Sequence, residues 1–409
     1  MRLSTRRPRA STQSVPPPAS AAWRAGDDPG DRRFVTLPED APLHLEKGGS
    51  LAPFQVAYET WGELDAERQN AVLVLHALTG DSHAAGPGSP GHPWRGWWDG
   101  VIGPGKAIDS GRWFVVCPNV LGGCQGTTGP SSLAPDGMPY GSRFPLITVR
   151  DQVAAEVALA DALGIDRWAA VIGGSMGAMR ALEWAVAYPD RLNAAVLLAT
   201  GAYASAEQIA LCAIQIHAMR SDPKFKGGDY YGAPGEGPHE GMGLARRIGH
   251  LSYRNELGLH ERFGREPQHD EDPFEGGRYA VESYLDHQAD KLARRFDANS
   301  YIVLSEAMNH HDGGRGRGGV ANALGNVTAD VTVAGIDSDR LYPLRLQGEL
   351  AALLPARPEV AVVPSLHGHD GFLIETEHVG KVVRETLDRM KDRGALVSSL
   401  ATAGPGRSP

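Results

Sequence analysis

Residues 169–191 read AAVIGGSMGAMRALEWAVAYPDR, and few folds accommodate them. Ala169 to Ile172 is a short, continuous apolar run with the character of a buried strand. Met176 to Tyr188 is rich in helix formers and is closed by Pro189. Between them, Gly173 and Gly177 stand two residues before and two residues after Ser175. A strand that turns into a helix over so few residues leaves room for little more than hydrogen beside the turn. Such an elbow lifts a hydroxyl to the end of a sheet and over a helix N-terminus, where the dipole favours negative charge. The stretch therefore points to a nucleophilic serine, and a nucleophilic serine needs partners elsewhere in the chain.

Similar apolar runs recur at 71–78, 112–121, 167–175, 192–200, 329–336 and 358–365. Their lack of polar alternation is what a parallel sheet covered on both faces requires. Helical patterns separate several of them, for example DQVAAEVALADALG, which closes on Gly164. Strand and helix in alternation predict an open α/β sheet. From Ala202 to Ala323 the pattern changes to helical pieces joined by Gly/Pro-rich, charged loops. The expected organisation is an α/β core from 33–201 and 324–393, with a helical lid at 202–323 inserted between two strands. Residues 1–32, rich in Ser, Pro and Ala, and residues 394–409 are expected to be flexible tails.

A serine hydroxyl becomes a nucleophile when a base takes its proton, and a neutral imidazole needs a carboxylate to hold its tautomer. In α/β-hydrolase architecture these follow in the order serine, acid, histidine, each after a strand. After the run at 329–336 come Asp337 and Asp339; after the run at 358–365 come His367 and His369. Both partners occur in the required order, and position alone leaves the choice within each pair open. The oxyanion of acyl transfer needs donors. The N–H of Met176 is one candidate, and that of Leu78, after the strand VLVLHAL, is the other.

Composition removes other classes. The 409 residues carry a formal net charge of −9, which argues against a general nucleic-acid surface or attraction to an anionic membrane. No apolar run reaches membrane-spanning length. The N-terminus lacks the apolar core of a secretory signal. Three cysteines in no paired spacing suit a reducing cytoplasm and indicate neither a disulfide framework nor a zinc site. His239-Glu240 lacks the second histidine of a zincin helix, and no metal is expected there or at His310-His311-Asp312. The GGRGRGG run at 313–319 follows no strand and is not a dinucleotide fingerprint.

The motifs LHALTGDSHAAG, NVLGGCQGTTGPSS, VIGGSMGAMRALEWA, LARRIGHLSYR, SYLDHQADKLARRFDANSYI, DSDRLYPLRLQ and HGHDGFLIE together resemble the homoserine O-acetyltransferase family, over about residues 35–390. The resemblance implies an α/β-hydrolase fold with a helical lid. It implies Ser175, Asp339 and His369 as the triad, and Arg246 and Asp370 as substrate-binding residues. The implied substrates are acetyl-CoA and L-homoserine, in methionine biosynthesis. No cofactor, nucleic-acid partner or membrane partner is implied; a cytoplasmic homodimer is. Enzymes that use succinyl-CoA or acylate serine, and plain serine esterases, share the same triad order and are the competing readings.

Overall fold

The computed structural model describes residues 15–402, with side chains as far as residue 390. Eight strands form one sheet: β1 (Arg33–Leu37), β2 (Phe54–Trp61), β3 (Ala71–Leu75), β4 (Phe114–Pro118), β5 (Trp168–Gly174), β6 (Leu192–Leu198), β7 (Asp330–Ile336) and β8 (Ala361–Val363). Their order across the sheet is β1-β2-β4-β3-β5-β6-β7-β8. The first two strands are antiparallel, β2 runs antiparallel to β4, and all the rest pair in parallel.

Every residue of β3 and β5 is buried. Successive side chains of a strand point to opposite faces. Leu73, Leu75 and Val171 accordingly join one apolar core, and Val72, Val74, Ala170 and Ile172 join the other. Helices α1 (Val149–Ala162) and α2 (Met176–Ala187) cover the first face. The second is covered by Val379, Val383 and Leu387 of the last helix, Thr376–Thr402, together with Trp98 and Ile102. This double cover is why the strands read as unbroken apolar runs.

A buried ion pair ties α1 to α2. Arg180 donates to Glu156 (Nη1 to Oε1, 2.6 Å) and Trp184 Nε1 donates to the other carboxylate oxygen at 2.8 Å. Arg180 and Glu156 are 0% and 3% exposed, so neither charge can be shed to water. Glu156→Ala would strand the guanidinium, and a loss of about 3–5 kcal/mol is expected. Its unfolding midpoint in denaturant checks this.

Between β6 and β7 the chain leaves the sheet for six helices: α3 (Ala206–Arg220), α4 (His239–Tyr253), α5 (Glu256–Phe263), α6 (Ala280–Ala293), α7 (Ala298–Asn309) and the short α8 (Val320–Gly325). α3 opens on a capping box at Ser205 and Gln208.

The N-terminal segment departs from the composition-based expectation. Residues 1–14 lie outside the described residues, but residues 15–32 pack on the body of the protein. Ala19, Ser20, Ala22 and Arg32 are buried. Ser20 Oγ donates to Asp297 at 2.7 Å, and Arg32 donates to Gly91 O at 2.9 Å and to Gln125 at 2.8 Å. Trp23 stacks on Phe34 with centroids 4.9 Å apart. A few anchors suffice to fix a segment whose average composition reads as a tail. At the other end the helix runs through the expected boundary to Thr402, and residues 403–409 lie outside the described residues.

Candidate active site

Ser175 holds φ 55° and ψ −123°, a conformation that non-glycine residues adopt only when their surroundings impose it. The surroundings are close backbone. A Cβ on Gly177 would stand 2.0 Å from the Leu75 carbonyl oxygen, and one on Gly173 would stand 2.3 Å from the backbone of Gly177. The N–H of Ser175 donates to Leu198 O at 2.9 Å, fastening the elbow to the end of β6. Met176 begins α2, so its N–H is one of the first-turn donors that no helical carbonyl satisfies.

His369 lies in a short turn after β8, with Nε2 2.8 Å from Ser175 Oγ and Nδ1 2.6 Å from Asp339 Oδ2. The other oxygen of Asp339 accepts from the N–H groups of Leu341 and Tyr342, at 2.8 and 2.9 Å. An ionised carboxylate only accepts, so the proton sits on Nδ1 and the lone pair of Nε2 faces the hydroxyl. Tyr342 stacks on the imidazole at 5.0 Å and Phe372 meets it edge-on at 5.4 Å. The other member of each pair points elsewhere. Asp337 is exposed and accepts from Ser365 N at 3.0 Å. His367 Nδ1 accepts from Arg254 at 3.1 Å.

Leu78, Ser175, Arg246, Tyr253, His369 and Asp370 line one cavity of about 100 Å3. That holds several waters' worth of space, at roughly 10–15 Å3 each, and suits a small polar molecule. Arg246, on α4, reaches it from the helical segment; its guanidinium lies 5.8 Å from the Tyr253 ring centroid, and its buried Nε has no acceptor. Asp370 enters from the core side, 3.5 Å from Arg254 Nη1. Burial pushes the Asp370 carboxyl above its ordinary range, against the opposing pull of Arg246, His369 and Arg254. A cation with a free donor and a carboxylate, both beside a serine, can seat a zwitterion.

Sequence reasoning missed Tyr253 and Arg254. Tyr253 follows Arg246 by seven residues, two helical turns, and that spacing alone puts them on one face. Arg254 lies just past the helix end, and no periodicity marks it.

The loop that carries Leu78 starts at His76, which is wholly buried. Its Nε2 accepts from Val120 N at 3.0 Å and its Nδ1 donates to Ala77 O at 2.8 Å. Burial, helped by the charge of Arg180, lowers its pKa to about 3. The ring is a neutral strut with one fixed tautomer.

The chain matches the family model described as alpha/beta hydrolase fold over residues 70–374. The homoserine O-acetyltransferase of Thermobifida fusca is 63% identical over 378 residues, 92% of this chain and 99% of that protein. The homoserine O-acetyltransferase of Mycobacterium tuberculosis is 58% identical over 361 residues, 88% of this chain and 95% of that one. Among solved structures, the homoserine O-acetyltransferase from Bacillus anthracis superposes with a TM-score of 0.79 at 31% identity, covering 87% of this chain and 97% of that one. Esterase E22 superposes with a TM-score of 0.78 at 26% identity, covering 87% and 99%. With identities this high over nearly the whole length of its relatives, the chain belongs to the homoserine O-acetyltransferase family, on the α/β-hydrolase fold.

Proposed function

We propose that this chain transfers the acetyl group of acetyl-CoA to the hydroxyl of L-homoserine, giving O-acetyl-L-homoserine for methionine biosynthesis. The observation that carries the reading is the placement of Arg246 and Asp370 around the cavity of Ser175. An α-amino acid presents a carboxylate and an ammonium, and a closed site needs a fixed guanidinium for one and a carboxylate for the other. A plain esterase has no use for that pair, although it would share the Ser175–His369–Asp339 arrangement.

The reaction proceeds in two halves. His369 Nε2 takes the proton of Ser175 Oγ as the oxygen attacks the thioester carbonyl. The N–H groups of Met176 and Leu78 stabilise the oxyanion, which collapses to an acetyl ester of Ser175 with release of CoA as its thiol, protonated by the imidazolium. The homoserine hydroxyl then gives its proton to His369 and attacks the ester, and Ser175 regains its proton as the product leaves. Both substrates thus react in turn at one serine. Water competes for the acyl-enzyme, and a small cavity that orients the acceptor favours the alcohol. The protein's own residues supply every group these steps use, so acetyl-CoA enters as substrate and no cofactor is invoked.

We place the enzyme in the cytoplasm as a homodimer. All three cysteines are buried thiols, as a reducing compartment allows, and among the described residues no helix is long and apolar enough to cross a membrane. Ile209 and Ile214 on α3 and Leu244 and Leu251 on α4 are exposed, an apolar surface suited to a second copy. Sedimentation equilibrium is expected to give twice the chain mass.

The test is thiol release from acetyl-CoA with and without L-homoserine, with Ser175→Ala as the blank. Release that requires homoserine and disappears in the variant supports the transferase. Release indifferent to homoserine means a hydrolase, and preference for succinyl-CoA or L-serine means a different acyl donor or acceptor.

A further inference from the structure

Behind the loop that carries Leu78 lies a second cavity, of about 360 Å3, walled in part by Arg32, Asp81, His83, His92 and Arg295. Into this region β2 projects Glu59, which is 1% exposed and sits far from Ser82 and His83 in sequence. Its carboxylate is engaged on both oxygens. Oε2 lies 2.8 Å from His83 Nδ1, while Oε1 lies 2.8 Å from His92 Nε2 and accepts from Ser82 Oγ at 2.9 Å. The same loop is held at two further points: Arg295 donates to Thr79 O, and Trp97 Nε1 donates to Asp81 O at 3.0 Å.

One carboxylate with two imidazoles is also a donor set for zinc, but the ring geometry opposes it. The His83 and His92 rings stack with centroids 4.2 Å apart and 13° between planes. In-plane lone pairs of near-parallel rings run side by side, and one ion cannot lie in both planes. The His83–Glu59 approach is a hydrogen bond, and both 2.8 Å separations are shorter than the ~3.3 Å edge of a tetrahedron with bonds near 2.0 Å. His83 has an acceptor at each nitrogen, Glu59 at Nδ1 and Pro87 O at Nε2, 3.2 Å away, which suits a doubly protonated ring. Burial opposes that charge, but Glu59, Asp81 and the Pro87 carbonyl outweigh it and raise the pKa.

We propose that Glu59 is a positioning residue for acyl transfer: by holding Ser82 and His83 it fixes the loop whose Leu78 N–H meets the oxyanion. The inference rests on the reading of Leu78 given under Proposed function. It joins the antiparallel edge of the sheet, which has no other part in the chemistry, to the donor side of the active site.

Glu59→Gln keeps the shape, removes the charge and turns one acceptor into a donor. Its kcat is expected to fall about tenfold, part of what losing an oxyanion donor outright costs, with both KM values within about twofold of wild type. Methylboronic acid, whose tetrahedral adduct on Ser175 places an oxygen where the oxyanion forms, should bind weaker by the same factor. A merely structural role would lower the unfolding midpoint and leave boronate affinity alone. Ser82→Ala, a gentler change, should move both quantities about threefold and covers the case in which Glu59→Gln does not fold. Wild-type kcat and boronate affinity in the folded variants would overturn the proposal. So would activity lost on dialysis against a chelator and restored by zinc, which would make the cluster a metal site. Leu78→Pro, which deletes the N–H, separates the two readings. If it leaves turnover intact, the assignment of Leu78 fails; if it costs a hundredfold while Glu59→Gln costs nothing, only the positioning role fails.

Discussion

Asp339→Asn is expected to lower turnover by roughly 10^4-fold, while Asp337→Asn leaves it within about twofold. The asymmetry follows from what each carboxylate accepts. Asp339 Oδ1 takes the N–H groups of Leu341 and Tyr342, two donors that an amide oxygen can still satisfy. The asparagine oxygen would settle there, turning its NH2 toward His369. The imidazole would then have to accept at Nδ1 and carry its proton on Nε2, where it cannot take one from Ser175. The protein stays folded and the base is lost. Asp337 accepts one backbone N–H at the surface, and its replacement leaves the ring untouched. Steady-state thiol release from both variants measures the difference, and the reverse ranking would sink the assignment of the acid.

Arg246→Ala carries the second large effect, and it should fall on one substrate only. Where two substrates react in turn at one serine, kcat/KM for each reports its own half-reaction. On the proposed reading, in which Arg246 pairs with the homoserine carboxylate, its removal should lower kcat/KM for homoserine by about ten- to a hundredfold or more, with kcat/KM for acetyl-CoA near wild type. The share of acyl-enzyme lost to water should rise in parallel. Asp370, proposed to face the homoserine ammonium, should add a pH signature to the same half-reaction. Because burial raises its pKa, its charge is lost on acidification at a pH above that of an ordinary carboxylate. Below that point the ammonium has no counter-charge and kcat/KM for homoserine falls. Asp370→Asn should abolish this acidic limb while lowering the plateau. An unchanged limb in that variant would assign the titration to another group.

Much of the fold could be read before any coordinates. The parallel strands β3 to β7 announce themselves because burial on both faces leaves them few polar residues, Asn193, Asp330 and Thr332 near the strand starts, and the elbow announces itself because glycine alone fits at 173 and 177. The antiparallel strands β1 and β2 do not: FQVAYETW is only partly apolar, and what makes it a strand is its pairing with β1 and β4. The packed segment 15–32 was hidden for a related reason, since Ser20 and Arg32 are fixed by Asp297, Gly91 and Gln125, all remote in sequence. Within the site, local motif and strand order lead to the serine and to two loops; the choice of Asp339 over Asp337 and His369 over His367 comes only from the family resemblance, and the hydrogen bonds supply its physical reason. Glu59 carried no signal at all, because its meaning lies in Ser82, His83 and His92, which the fold gathers around it.

Ser175, His369 and Asp339 stand on loops of the sheet, whereas Arg246, Tyr253 and Arg254 arrive from helices that the chain inserts between β6 and β7. On the proposed reading, the bond-making groups and Asp370 belong to the core, while the rest of the recipient's seat, Arg246 above all, is written in the inserted stretch. Substitution in the inserted stretch can redirect the acyl group to another alcohol, or to water, without rebuilding the apparatus that loads it. The same frame can diversify by exchanging its guest-facing wall, and an engineer seeking a new ester would begin on α4 rather than at the elbow.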